Sequence, residues 1–524
     1  MDPQRLPVQS RTRSVALLLG VVIGLLVAGL AIPFVFGERL TDTTAAPAPD
    51  EVLLGPEVEG DAAAEGTGEP GAEPTSSATA GADGTVAAPG AAPAGPAAPG
   101  APAAGGPAPA PGAPGSAGSG QTADGTKLTA TDRGVTAKTV KVGFTVLDTG
   151  GLGRTGVAVG VSVEQQRDAW IGYAKEINAR GGINGRAIEP VVVSYDPVNE
   201  NSQRQACLQL TQDEKVFAVV GGFNFPVAVS CVTRENATPL FSGYPSTQDE
   251  IFATSSGRFV TMYPKASRSM ANWVAALDGA GKLKGKTIGI LNQQQNDPGA
   301  KTSAALERAI EARGYKVKRR ADLSADTGTS SSQVPVTVNQ FQTDGIDTVF
   351  VLAGVTTATA FVQQADGQGY RPMYMLGDWA NNNSDFTVQN MPRSFQAISV
   401  TQIMGHGNKV QPFPENAQAV RCREVHDKHS GRKLAARGTA EYGATMQNCD
   451  SVLAFEKVAK AAGPNLTRAR IGAVTPSVGS FPVANWGPGG FASGKSDFSD
   501  QVRFQVFDAS CTCWKPNGAF FTPR

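Results

Sequence analysis

Few residues in this chain have the type and spacing that chemistry requires. Gly151-Leu152-Gly153-Arg154-Thr155-Gly156 is a GxGxxG run after a predicted strand, the pattern that sets a dinucleotide pyrophosphate over a helix N-terminus. The following helix starts only near Glu164, however, and Asp196 lies about twice the ~20 residues away at which an acid would meet the ribose. Gly285-Lys286-Thr287 ends like a phosphate loop but precedes a strand, so it reads as a turn. The three histidines, His406, His426 and His429, fall outside the strand-end loops. His426 and His429 share a predicted helix with Cys422, a spacing open to a metal, but a solvated helix face with a disulfide-bonded cysteine is the preferred reading. With no GxSxG elbow and no HExxH, the chain is expected not to be an enzyme and to carry neither cofactor nor metal.

The remaining reactive groups are six cysteines, Cys207, Cys231, Cys422, Cys449, Cys511 and Cys513. They contain no CxxC, and Cys511 and Cys513 stand too close for zinc, so disulfides are expected. Cys207 and Cys231, near in sequence within one α/β segment, are the expected pair; the other four are left open. Basic and acidic residues balance at 46 each, and no basic stripe with interleaved aromatics offers a nucleic-acid surface.

The elements that must position any site lie far along the chain. Residues 1–13 carry Arg5, Arg11 and Arg13 and read as a cytoplasmic tail; residues 14–36 contain no charge and are long enough for a transmembrane anchor, which needs about 20 apolar residues. The positive-inside rule then places the remainder outside the cell, as a single-pass membrane protein with an extracytoplasmic C-terminal domain. Residues 37–135, rich in Ala, Pro and Gly, are expected to be a disordered linker. From residue 136 to 524, β-branched runs alternate with amphipathic stretches, which predicts an α/β fold with mostly parallel sheets. Strands are expected over 140–146, 188–194, 216–220, 239–242, 287–291, 348–353 and 372–376, and helices over 164–180, 202–212, 301–313 and 358–368. A domain of this length exceeds one comfortable core, so two Rossmann-like lobes are expected, with any ligand beyond the carboxyl ends of the strands.

The opening strand Val140-Lys141-Val142-Gly143, the helix end Lys175-Glu176-Ile177-Asn178-Ala179-Arg180-Gly181-Gly182-Ile183-Asn184-Gly185 and the strand Ala218-Val219-Val220-Gly221-Gly222 together resemble the type 1 periplasmic binding proteins, the branched-chain amino acid and amide receptors of ABC importers. Thr238-Pro239-Leu240, Tyr244-Pro245-Ser246-Thr247 and the placement of Cys207 and Cys231 extend the likeness. The resemblance implies lobe I over about 138–262 and 402–480, lobe II over about 263–401 and 481–524, and a three-crossing hinge near 259–264, 397–401 and 481–485. It implies a small-molecule solute, an amino acid, amide or aromatic compound, held by Phe223, Asn224, Ser246 and Thr247 from lobe I. From lobe II it implies Asn296, Asp297, Thr356 and Asp378, with Asp378 facing the ligand's ammonium group; Trp379, beside Asp378, is expected to wall an apolar pocket. The implied partner is an ABC permease, or alternatively a separate membrane signalling protein for which this chain is the sensing ectodomain.

Overall fold

The computed structural model describes residues 117–150, 160–244, 247–294, 301–411 and 413–524. Strand β1, Thr139–Leu147, turns Val140, Val142, Phe144 and Val146 to one face, each at most 1 % exposed. Helix α1, Val163–Ala179, covers them: Trp170 stacks on Phe144 with centroids 5.2 Å apart, and its indole N–H donates to the Thr145 carbonyl at 3.0 Å. A reciprocal Ser162–Gln165 capping box starts α1. Gly181 and Gly182, with φ of 94° and 68°, end it in the left-handed turn that the sequence predicts.

The chain continues through β2 (Ala187–Tyr195), α2 (Glu200–Leu208), β3 (Ala218–Gly221), α3 (Pro226–Ser230), β4 (Leu240–Ser242), α4 (Asp249–Thr254) and β5 (Phe259–Thr261). These strands form one parallel sheet in the order β2-β1-β3-β4-β5. A second series follows: α5 (Ala266–Gly279), β6 (Ile288–Gln293), α6 (Lys301–Ala312), β7 (Val317–Leu323), α7 (Thr327–Thr343), β8 (Thr348–Leu352), α8 (Val355–Gly367), β9 (Met373–Leu376), α9 (Asp385–Val388) and β10 (Ala397–Thr401). Helices α10 (Ala417–His429), α11 (Ala440–Ala461) and α12 (Arg468–Val478) then return to the first sheet and bury Met446, Phe455 and Ile471 against it. The chain finally rejoins the second sheet as the antiparallel hairpin β11 (Val502–Asp508) and β12 (Cys513–Phe521). The second sheet has the order β12-β11-β10-β9-β8-β6-β7.

Each sheet has apolar cores on both faces and, with its helices, makes one lobe. The chain passes between the lobes three times, after β5, after β10 and before β11. Residues 397–401, expected in the hinge, are strand β10 itself, and the chain leaves the sheet at Gln402 because the carboxylate of Asp378 takes its N–H.

Residues 117–135, the described part of the linker expected over residues 37–135, are folded; residues 37–116 lie outside the described residues. Residues 117–135 fold onto the first lobe: Gly118 N–H donates to the Gly185 carbonyl at 2.9 Å, Leu128 and Val135 are buried, and Asp132 pairs with Arg468 at 2.9 Å. Several of the bonds that hold this segment, from Gly118 to Gly185, Thr129 to Arg186 and Asp132 to Arg468, are to residues distant in sequence, which local composition does not report. Among the described residues no helix is long and apolar enough to cross a membrane; the anchor expected over 14–36 lies outside them.

Cys207 is bonded to Cys231, the pair expected, and the open four resolve as Cys422–Cys449 and Cys511–Cys513. The His426/His429/Cys422 group therefore has no thiolate to offer, and His429 instead meets Glu176 at 2.9 Å.

Candidate functional site: the interlobe cleft

In both lobes the parallel strands end toward the crossings, so the described residues of the loops after β2, β3, β4, β8 and β9 lie at the end of each sheet from which the crossings leave. After β3, Gly221 and Gly222 have φ of 124° and 120°, and a Cβ on Gly222 would lie 2.3 Å from Ser242 Oγ and 2.8 Å from Tyr244 Cδ2. Only glycine fits there. The double turn carries the next residue inward: the Phe223 side chain is fully buried against Tyr195, with ring centroids 5.1 Å apart. Phe223 is thus a core residue beneath the loop rather than a cleft wall.

Asn224 stays at the loop surface, half-buried, with Oδ1 3.0 Å from the Tyr195 hydroxyl. Its backbone N–H and that of Phe225 both donate to Gln203 Oε1, at 2.9 and 3.0 Å. The Gly222 N–H donates to Thr145 Oγ1 at 3.0 Å. The Tyr195 and Tyr244 hydroxyls are bonded to each other, and burial pushes both well above the ordinary phenol range. Thr247 is buried, with its hydroxyl donating to the Pro264 carbonyl at 3.0 Å, so it ties the β4 loop to the first crossing. Ser246, Asn296 and Asp297 lie outside the described residues.

From the second lobe, Thr356 is exposed in the first turn of α8, whose N-cap is Gly354. Trp379 is 6 % exposed and packs into the core beneath α5. Ala380 and Asn381 follow with φ of 56° and 59°, a left-handed pair of non-glycine residues held in place by the surrounding loop.

Asp378 is buried and fully engaged. Its Oδ2 accepts the Gln402 N–H at 2.7 Å, and its Oδ1 accepts from Thr401 Oγ1 and Asn383 Nδ2. Burial pushes its pKa up to about 6; these three donors and the charge of Arg503 oppose the shift.

The other two crossings are held in the same manner by aspartates that sequence reasoning missed. Asp497 takes the Lys265 N–H at 2.8 Å on the first crossing and also binds Arg268. Asp450, fully buried in α11, takes the Ala484 and Asn485 N–H groups at 2.7 Å each on the third. The second and third crossings also bond to each other through Met404 N–H and the Asn485 carbonyl, at 2.6 Å. Arg503 Nη2 donates to the Met404 carbonyl at 2.5 Å. A signal for Asp450 existed: it is a lone acid in the apolar run from Cys449 to Phe455. Asp497 and the Thr401 and Gln402 partners of Asp378 are distant in sequence and gave none. At the rim, Lys301 of α6 meets Glu250 of α4 at 3.2 Å, an exposed ion pair between the lobes.

Burial drives the pKa of Asp450 up to about 7 despite its amide bonds. A raised carboxyl pKa means that the folded state binds a proton which the unfolded state, near 3.9, does not, so stability falls as pH rises through the folded value. Buried His406, pushed down to about 4, acts in the opposite sense between about 4 and 6.5. The clean test is therefore a difference: the stability of the protein minus that of Asp450→Asn should increase as pH falls from 8 to 5, read from urea unfolding at each pH. A pH-independent difference would show that Asp450 does not titrate in this range.

The family model described as periplasmic binding protein matches residues 139–509. Solved structures share the fold at low identity. The leucine binding protein of Thermotoga maritima is 15 % identical, covering 73 % of this chain and 99 % of its own, at a TM-score of 0.55. An R. palustris ABC transporter solute binding protein in complex with 4-hydroxybenzoate is 14 % identical, covering 74 % and 97 %, at 0.54. The fatty acid ABC transporter substrate-binding protein of Thermomonospora curvata is 19 % identical, covering 77 % and 96 %, at 0.53. No curated protein matches the sequence.

Proposed function

The chain belongs to the periplasmic binding protein family, a family of solute-binding receptors rather than enzymes, and we propose that it captures a small solute between its lobes and delivers it to an ABC importer. The observation that carries this reading is the pair of lobes presenting their strand ends to one another across three crossings, each held by a buried aspartate. Rigid lobes joined by short crossings permit closure by rotation, the hinge motion by which a bound ligand is enclosed. The membership of solute binding proteins of ABC transporters among the similar structures supports the importer role. In this reading residues 14–36 anchor the protein in the membrane, the chain before the folded domain spaces it from the bilayer, and the domain works outside the cell.

The test is a solute screen on the full-length protein by thermal shift, with hits followed by X-ray scattering. A ligand at a hundredfold its Kd should add about 2.7 kcal/mol to folding stability. It should also reduce the radius of gyration as the lobes close. A bound solute that leaves the scattering curve unchanged would overturn the closure mechanism.

A further inference from the structure

We infer that the Cys511–Cys513 disulfide is a thiol–disulfide exchange site: a low-molecular-weight thiol attacks Cys511, and Cys513 leaves and can return to expel it. The inference concerns the β11–β12 hairpin and is independent of the receptor reading above.

The three disulfides differ in what they present to a reagent. Exchange begins when a thiolate attacks one sulfur of the bond, so one of the two residues must be reachable. Cys207, Cys231 and Cys422 are fully buried, and Cys449 is 7 % exposed. Cys511 is partly exposed, in the turn of residues 509–512 that joins β11 to β12. Cys513 is fully buried beside Trp514 at the start of β12. The bond therefore has one reachable end and one enclosed end, and this sets the direction of the reaction.

Backbone placement also separates the three. Cys207 and Cys422 lie in α2 and α10, and Cys231 and Cys449 lie in helical turns packed against them. If either of those bonds opens, its sulfurs stay pinned face to face and it re-forms. Cys511 lies in a turn instead, with Thr512 as the one residue between the two cysteines. Thr512 has φ of 46°, a left-handed conformation that a β-branched side chain resists. Opening the ring lets Thr512 relax and Cys511 swing outward. Lys409 Nζ donates to the Cys511 carbonyl at 3.2 Å, so an incoming thiolate meets a cation beside the residue it attacks. Beneath the turn, the Asp385 carboxylate accepts the Trp514 N–H at 2.7 Å and the Lys409 N–H at 2.6 Å, which fixes the Cys513 end while the other moves.

The thiolate RS⁻ bonds to Cys511 Sγ as the Cys511–Cys513 bond breaks, and Cys513 Sγ departs as a thiolate. Two outcomes follow from this mixed disulfide. Cys513 attacks Cys511 Sγ, expels RS⁻ and restores the ring, or a second RS⁻ attacks the bound thiol's sulfur. The second path releases RSSR and leaves Cys511 and Cys513 as thiols, each taking a proton from solvent, so the pair gains the two electrons that the two thiols lose.

The oxidised full-length protein tests this in a dithiothreitol titration quenched with N-ethylmaleimide, with each cysteine read by peptide mass spectrometry. Cys511 and Cys513 should be labelled at a dithiothreitol concentration ~10-fold or more below that needed for any of the other four. Labelling of Cys207, Cys231, Cys422 or Cys449 at the same or lower concentration would overturn the inference. The Cys513→Ser variant removes the returning thiol. Treated with oxidised glutathione, it should hold one glutathione on Cys511, whereas the reduced wild type given the same treatment should close its ring and retain none. A folded variant that takes up no glutathione, or a wild type that keeps it, would overturn the assignment of the two roles. If the variant does not fold, the wild-type titration alone decides.

Discussion

Asp378→Ala is expected to lower folding stability by on the order of 3–5 kcal/mol, because it leaves the Gln402 N–H, the Thr401 hydroxyl and the Asn383 amide buried without their acceptor. A ligand-binding acid in an open cleft would behave differently: truncation would abolish binding while leaving stability nearly unchanged. Equilibrium urea unfolding separates the two. Asp378→Asn retains one acceptor oxygen and should fall between the wild type and the alanine variant. An alanine variant as stable as the wild type would show that the second crossing does not depend on this carboxylate.

Replacing Cys422 and Cys449 together with serine should cost about 3.5 kcal/mol in the chain-entropy model, since the bond closes a loop between cysteines 27 positions apart. The bridge joins α10 to α11, two helices of the first lobe that come late in the chain. The same replacement at Cys511 and Cys513, only 2 positions apart, should cost roughly half as much by the same model. Denaturation midpoints of the two double variants check the ranking, and equal losses would contradict the loop-length argument.

Most of the parallel framework was legible in the sequence. Strands β1, β6, β8 and β9 are apolar runs largely buried on both faces, the edge strand β2 carries the β-branched run Val191–Val193, and α1 carries its cap and its glycine stop in sequence. Strand β7 was not legible, because an edge strand tolerates charge: Arg319 and Arg320 pair with Asp344 and Glu307 while Leu323 alone is buried. Helix α7, with its Ser/Thr run and Pro335, is not among the helices expected from the sequence. It forms because Asp326 caps it and because Val334, Val338 and Phe341 bury one side. The site divides in the same way. That residues 223–224, 247, 356 and 378 follow strands was visible; where their side chains go was not. Phe223 turns inward on the backbone of two glycines, and Asp378 bonds to residues 23 and 24 positions downstream. A position at a strand end therefore says little about whether a polar group faces solute or the protein.

The return of the chain from β10 to the first lobe, and back again to β11, has a consequence during biosynthesis. Lobe I cannot be completed until α10 to α12 have emerged, since Phe455 packs edge-on against Phe241, more than two hundred residues earlier. The second sheet waits longer still. Its strand β10 keeps an unpaired edge until β11 arrives, about a hundred residues later in the chain. Neither lobe is thus a unit that vectorial synthesis can finish before beginning the other, and the nascent chain carries an open sheet edge until β11 and β12 have emerged. Such edges are templates for intermolecular pairing, so this late-closing topology exposes the nascent chain to wrong partners until the β11–β12 hairpin docks.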